Sequence, residues 1–241
     1  MGQGGDQVIS KAVTAAIAAL FKQTESLEAA VRAEPIAKLL QGSIDGFDLV
    51  GTGLRMYNGL RIEVMELYLQ AISIDFGAIF KGQVTLRRAV EATMRVVLTE
   101  EDLTTSFNTP FVVGKLELIE YQGKPMKFQQ TTMAVQANRK LKLESRVLVG
   151  DQPEPLQLSI EAGIDVEDRR RIQFVDVTYG GDGESQSVAQ AMIAHVNGLM
   201  NLDKFALDGT QLRVDKIRIR GSKLVFYGTA NIEQFPEARK A

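Results

Sequence analysis

Residues 39 to 76, LLQGSIDGFDLVGTGLRMYNGLRIEVMELYLQAISIDF, read as consecutive strands that carry apolar side chains on both parities. Between Leu60 and Phe76, Ile62, Val64, Ile72 and Ile74 share one parity, while Met65, Leu67, Leu69 and Ala71 take the other. Successive strand side chains point to opposite faces, so neither side of this pleat is simply solvent. Either helices cover one face or a ligand does. Asn58-Gly59 is the clearest hairpin signal in the stretch, and Gly51 and Gly53 punctuate it further.

Composition narrows what such a sheet can serve. With 28 basic against 30 acidic residues, the net charge of -2 supplies no field to gather nucleic acid, so no nucleic-acid partner is expected. The absence of cysteine removes disulfides, thiolate nucleophiles and Cys-ligated metals, and a single histidine removes a His-rich metal site. No cofactor is expected. The opening MGQGGDQVISKAVTAAIAALFKQ lacks a basic segment before its apolar run, and Asp6 stands where a myristoylation motif needs Ser or Thr. No stretch approaches the ~18 apolar residues of a membrane span. The expectation is a cytoplasmic chain, peripheral to a membrane at most.

Ile9, Val13, Ile17, Leu20 and Phe21 recur at helical spacing and predict an amphipathic helix over about 6–23. Alternation from Ser26 predicts a strand that Pro35 stops, and residues 36–41 a helical turn. Val90 to Thr99 is a further strand. Thr99 then caps a helix whose first turn is Glu100-Glu101-Asp102 and whose buried stripe holds Leu103 and Phe107. Beyond Pro110, runs at 115–121, 126–137, 140–149, 155–166 and 171–179 predict a meander of antiparallel strands. After Gly180-Gly181-Asp182-Gly183, Val188, Met192, Val196 and Leu199 mark a second strong helix. Strands at 205–219 and 223–235 follow, and the tail over 236–241 should fray. No boundary divides the chain, so residues 1–241 are read as a single domain.

Three segments in this order resemble the LmeA-like phospholipid-binding family, and its cyanobacterial members more than its actinobacterial ones. They are LLQGSIDGFDLVGTGLRMYNGLRIEVMELYLQAISIDFGAIFKG, VVLTEEDLTTSFNTP and LDGTQLRVDKIRIRGSKLVFYGTANI. The resemblance implies an α+β fold like that of the tubular lipid-binding (TULIP) proteins, a long, strongly curved antiparallel sheet wrapped around one or two amphipathic helices. It implies phospholipid as the ligand, without catalysis. Actinobacterial relatives carry an export signal and act in the cell envelope, a signal this sequence does not show. No catalytic motif of the family carries over residue by residue.

A groove for acyl chains needs an apolar lining, since each buried methylene contributes about 0.8 kcal/mol. The candidates are Met65, Leu67 and Leu69, Met94, Val96 and Leu98, Leu103 and Phe107, with Met192, Val196, Leu199 and Met200 from the late helix. Methionine adapts to variable chains. Each residue taken singly is also explained by ordinary core packing. For docking on an anionic membrane, Ile79, Phe80 and Lys81 with Arg87 and Arg88 offer apolar insertion beside positive charge. The competing reading tucks Ile79 and Phe80 into the core.

Arg169, Arg170 and Arg171 at a hairpin end could grip a phosphate, against a solvated turn neutralised by Glu167 and Asp168. His195 shares the apolar side of its helix with Val188 and reads as a hydrogen-bonded packing residue, because no nucleophile accompanies it. Glu100, Glu101 and Asp102 have a sufficient explanation as a helix start. Gly51-Thr52-Gly53 lacks the third glycine of a dinucleotide loop, Met56 standing there. The reading reached is a non-enzymatic phospholipid-binding protein that holds acyl chains in an apolar groove, as carrier or sensor at a membrane. The alternative is a protein-interaction scaffold of the same fold with a filled core in a membrane-associated complex.

Overall fold

A computed structural model describes residues 10, 14–15, 17–19, 21–35, 37–79, 85–204 and 209–233. Strands β1 (Ser26–Arg32), β2 (Ser43–Arg55), β3 (Arg61–Ser73) and β4 (Val90–Thr99) pair antiparallel in sequence. The β2–β3 connection is the expected Asn58-Gly59 turn, in which Gly59 takes a left-handed φ of 91° that a side chain would resist. Short helices α1 (Ala37–Leu40) and α2 (Phe76–Ile79) fill the connections beside β2 and β3. A second sheet follows, with order β5 (Glu120–Tyr121), β6 (Lys124–Val135), β7 (Leu141–Val149), β8 (Leu156–Glu167) and β9 (Arg171–Gly180). Strands β10 (Thr210–Arg220) and β11 (Lys223–Ile232) then return to the first sheet, which runs β1-β2-β3-β4-β11-β10. The expected α+β class with antiparallel sheet holds, the sheet being divided in two and neither half closed into a barrel.

Between the sheets lie α3 (Glu100–Phe107), α4 (Pro110–Leu116) and α5 (Gly183–Leu199). The α3 start is a capping box: the N–H of Asp102 donates to Thr99 Oγ1 at 3.1 Å, and the N–H of Thr99 donates to Asp102 Oδ2 at 2.9 Å. Helix α3 leaves β4 directly and then takes the place of a strand beside β6. Glu100, Thr104 and Asn108, four residues apart, bond the backbone of Val135, Met133 and Thr131, two residues apart. Four helical residues rise about 6 Å and two strand residues about 6.6 Å, so the two repeats stay in step. A run of polar side chains on one helix face thereby joins the end of the first sheet to the edge of the second.

Breaks in the pleat account for part of the two-faced pattern of these strands. Burial follows odd positions through Leu67 and Leu69, which is 1% exposed, and then moves to Ile72 and Ile74 across Ala71. Ala71 has a left-handed φ of 52°, and Leu69, Ile72 and Ile74 all lie in the same buried cluster. Gly53, φ 56°, does the same on β2, turning Leu54 toward the side on which Gly51 lies. The second sheet repeats the device. An unpaired Gln129 moves burial from Met126 and Phe128 to Thr131 and Met133, and an irregularity by Asp176 moves it from Phe174 toward Val177 and Tyr179. Ile62 and Val64 stay on the other side of β3, half-buried, and Val64 lies in a row with Val97 and Val225, which are buried, so the first sheet keeps apolar side chains on its reverse face as well.

Two expectations are corrected. Residues 115–121 are not one strand: Thr109 caps α4 with Pro110 in its first turn, the helix runs to Leu116, and only Glu120–Tyr121 is extended. The described part of the N-terminal segment is helical at Ser10, Thr14, Ala15, Ile17 and Ala18, but residues 21–23 have left the helix. The N–H of Lys22 donates to the Arg55 carbonyl at 2.8 Å and Gln23 bridges Arg55, so the chain is already pairing with the end of β2. Residues 205–208 and the tail from 234 lie outside the described residues, as does the start of the predicted N-terminal helix.

Candidate functional site

Six strands of the first sheet align their apolar positions in rows. One row is Gly51, Met65, Val96, Phe226 and Ile217; the next is Ala29, Leu49, Leu67, Met94, Gly228 and Val214. Different elements cover the two ends of this face. Ile17 and Phe21 of the N-terminal segment pack with Val31, Phe47, Leu49 and Leu69, whereas α5 and the second sheet pack with Met94, Val214, Leu224 and Phe226. Leu67 and Leu212 touch both clusters and are only half-buried. Met65, Val96, Leu98, Ile217 and Ile219 on the same face are half-buried as well. In the interior of a well-covered sheet such side chains would be dry. The face therefore keeps a half-exposed apolar strip beside the residues that its two covers bury.

The structure gathers most of the predicted lining. Leu67, Met94, Val96, Leu98, Leu103, Phe107, Met192, Val196 and Met200 belong to one cluster, and Met65 and Leu69 to the adjoining one. Leu199 is half-buried and belongs to neither. Leu69, Met94, Leu103, Met192 and Val196 are buried as ordinary core, Met192 wholly so. The half-exposed members are Met65, Leu67, Val96, Leu98, Phe107 and Met200. Sequence reasoning missed Leu212, Ile217 and Ile219, although the alternation Lys216-Ile217-Arg218-Ile219-Arg220 was the signal for them.

The family model for LmeA-like phospholipid-binding proteins matches residues 1–229 of the chain. The chain belongs to the LmeA-like phospholipid-binding family. No curated protein and no solved structure matches it. Membership in the LmeA-like family supports lipid binding in general terms, and the half-exposed strip is one place where apolar surface meets solvent.

The charged candidates sort differently. In this LmeA-like chain Arg169 pairs with Asp215, Arg170 with Asp203, and Arg171 with Glu167 at 2.9 Å, so all three arginines at the β8–β9 turn face carboxylates. The turn also ties the sheets together, since the Arg169 carbonyl accepts the N–H of Val214 at 2.9 Å and the Arg170 carbonyl accepts that of Leu202 at 2.8 Å. His195 Nε2 lies 3.1 Å from the Lys115 carbonyl and joins α5 to α4. Asp102, 2% exposed, holds the α3 cap and faces Arg61 Nε at 3.4 Å, while Glu101 takes Arg61 Nη1 at 2.8 Å. Gly51, Thr52 and Gly53 lie inside β2.

Of the docking candidates, Arg87 and Arg88 are exposed, and their guanidinium groups donate to the carbonyls of Gln41 at 3.3 Å and Ala71 at 3.1 Å. The side chain of Ile79, and Phe80 and Lys81 entirely, lie outside the described residues. Among the described residues no helix is long and apolar enough to cross a membrane, and no cluster of acidic residues or histidine is placed to hold a metal ion.

Proposed function

We propose that this chain holds phospholipid acyl chains against the half-exposed strip of the first sheet, without catalysing a reaction, and so serves as a carrier or sensor at a membrane. The observation that supports this reading is the row structure of that face: Met65, Leu67, Val96 and Leu98 continue an apolar surface yet are left partly open beside buried neighbours such as Leu69, Met94 and Phe226. Covering such side chains with methylene groups contributes about 25 cal/mol per Å² of apolar surface removed from water. Methionines at positions 65 and 200 let the surface adapt to chains of different length.

Extraction of protein purified under native conditions, followed by lipid mass spectrometry, tests the reading. A phospholipid at near-equal molar ratio is the expected result. A protein that stays empty after expression and after incubation with vesicles sinks it, and leaves the packed residues Leu69, Met192 and Val196 as parts of a filled core. That outcome is what the scaffold alternative requires.

A further inference from the structure

The first sheet ends at β10, and its two halves differ. Toward Thr210 the strand is clasped by the β8–β9 turn through the Arg169 carbonyl and the Arg169–Asp215 pair. From Lys216 to Arg220 no described strand lies on its outer side. Register with β11 places Ile217 opposite Phe226 and Ile219 opposite Leu224, hence on the apolar face, with Lys216, Arg218 and Arg220 on the reverse. Both isoleucines are half-buried and all three cations are exposed. Neighbouring cations are matched: Arg213 with Asp203, Arg169 with Asp215, Lys223 with Glu63. Lys216, Arg218 and Arg220 form no ion pair among the described residues.

We infer that the Lys216–Arg220 half of β10 is the surface by which this protein docks on an anionic phospholipid bilayer. The inference rests on the lipid-binding reading above and gives it an address. Unmatched cations would meet lipid phosphates while the isoleucines behind them extend the apolar strip to the bilayer surface, so the lipid path and the docking edge coincide. Charge complementarity favours this occupant, because a negative leaflet attracts clustered Lys and Arg within a Debye length. Charges on an edge strand also keep it from pairing with other strands, and the test separates that role.

The full chain is tested by flotation with vesicles of phosphatidylcholine alone and with about a third phosphatidylglycerol, at about 50 and about 500 mM salt. Binding is expected only to the anionic vesicles, and it should fall at the higher salt. The Lys216→Gln/Arg218→Gln/Arg220→Gln variant should weaken it on the order of a hundredfold, while Arg87→Gln/Arg88→Gln changes it far less. Should the triple variant not fold, Arg218→Glu alone carries the comparison, and the wild-type salt dependence stands apart from both. Equal binding to neutral and anionic vesicles overturns the inference. So does a triple variant that self-associates yet binds like wild type, or a greater loss on changing Arg87 and Arg88. Lipid content of each purified protein is measured in parallel, so an empty protein that still binds anionic vesicles fails the carrier reading without failing the docking surface.

Discussion

The N–H of Met133 donates to the hydroxyl of Thr104 at 2.9 Å, and that hydroxyl in turn lies 3.3 Å from the Met133 carbonyl. One helical side chain thus satisfies both backbone groups of a strand residue that has no strand on that side. Asn108 does the same for Thr131, accepting its N–H at 2.9 Å and donating to its carbonyl. The edge of the second sheet is closed by α3.

Removing these groups leaves buried backbone donors and acceptors without partners. Thr104→Val and Asn108→Leu should each destabilise the protein by about 1–3 kcal/mol, read as a lower urea midpoint at an unchanged slope. Because both belong to one ladder, the double variant should lose less or more than the sum. Wild-type midpoints would show that the helix does not close this edge.

Gly228 faces the irregularity of β10 between Val214 and Lys216. A Cβ there would lie 1.9 Å from the Arg213 carbonyl oxygen, a backbone atom that cannot swing aside. Gly228→Ala should therefore cost about 1–3 kcal/mol or more through backbone displacement. A thermal midpoint equal to wild type would mean that the β10–β11 pair moves freely here.

Core and strip should respond in opposite ways. Met192 is fully buried, so Met192→Ala should cost about 2–5 kcal/mol from lost packing. Leu67→Gln and Val96→Gln alter half-exposed positions and should cost only about 1 kcal/mol each, yet lower the lipid recovered with the protein. Full lipid content in a folded Leu67→Gln/Val96→Gln variant would remove the strip from the site.

Acid should weaken the fold through specific carboxylates. Hydrogen bonds from the Arg32 guanidinium hold Asp48 below its ordinary value, the Glu34 N–H and Lys38 do the same for Asp45, and the N–H of Ser185 does so for Asp182. A carboxyl group depressed in the folded state stabilises it above the unfolded pKa, about 3.9, and this is lost as pH falls through the folded value. The thermal midpoint should be flat from neutral pH to about 5 and fall below about 4. Asp48→Asn should flatten that fall in part; an identical acid profile would show the pair with Arg32 to be without effect, as exposed pairs often are.

Local chemistry made much of this legible in the sequence. Strand alternation placed β1, β4 and β6 to β9 within a few residues, and Thr99 with Asp102 announced the start of α3. These signals are short-range: a cap needs three residues, and a strand face needs every second one. The Thr109-Pro110 start of α4 was equally local and was overrun by the apolar residues after it. Most of the candidate lining was visible for the same reason, as apolar periodicity.

Which of those residues stay open was decided only by the tertiary structure. Part of the two-faced pattern of residues 39 to 76 arose because Gly53 and Ala71 interrupt the regular pleat, as Gln129 and Asp176 do in the second sheet, and an interrupted pleat moves every later side chain to the other side. Leu67 and Leu69 are two residues apart with the same chemistry, yet one is half-exposed and the other buried. The difference comes from what packs on each: Leu69 is buried in the cluster that holds Ile17 of the N-terminal segment, whereas Leu67 sits at the margin of that cluster and of the one around α5. Alternation along a strand records which side chains prefer to leave water; burial also needs a distant element to arrive on top of them, and that depends on the path of the whole chain.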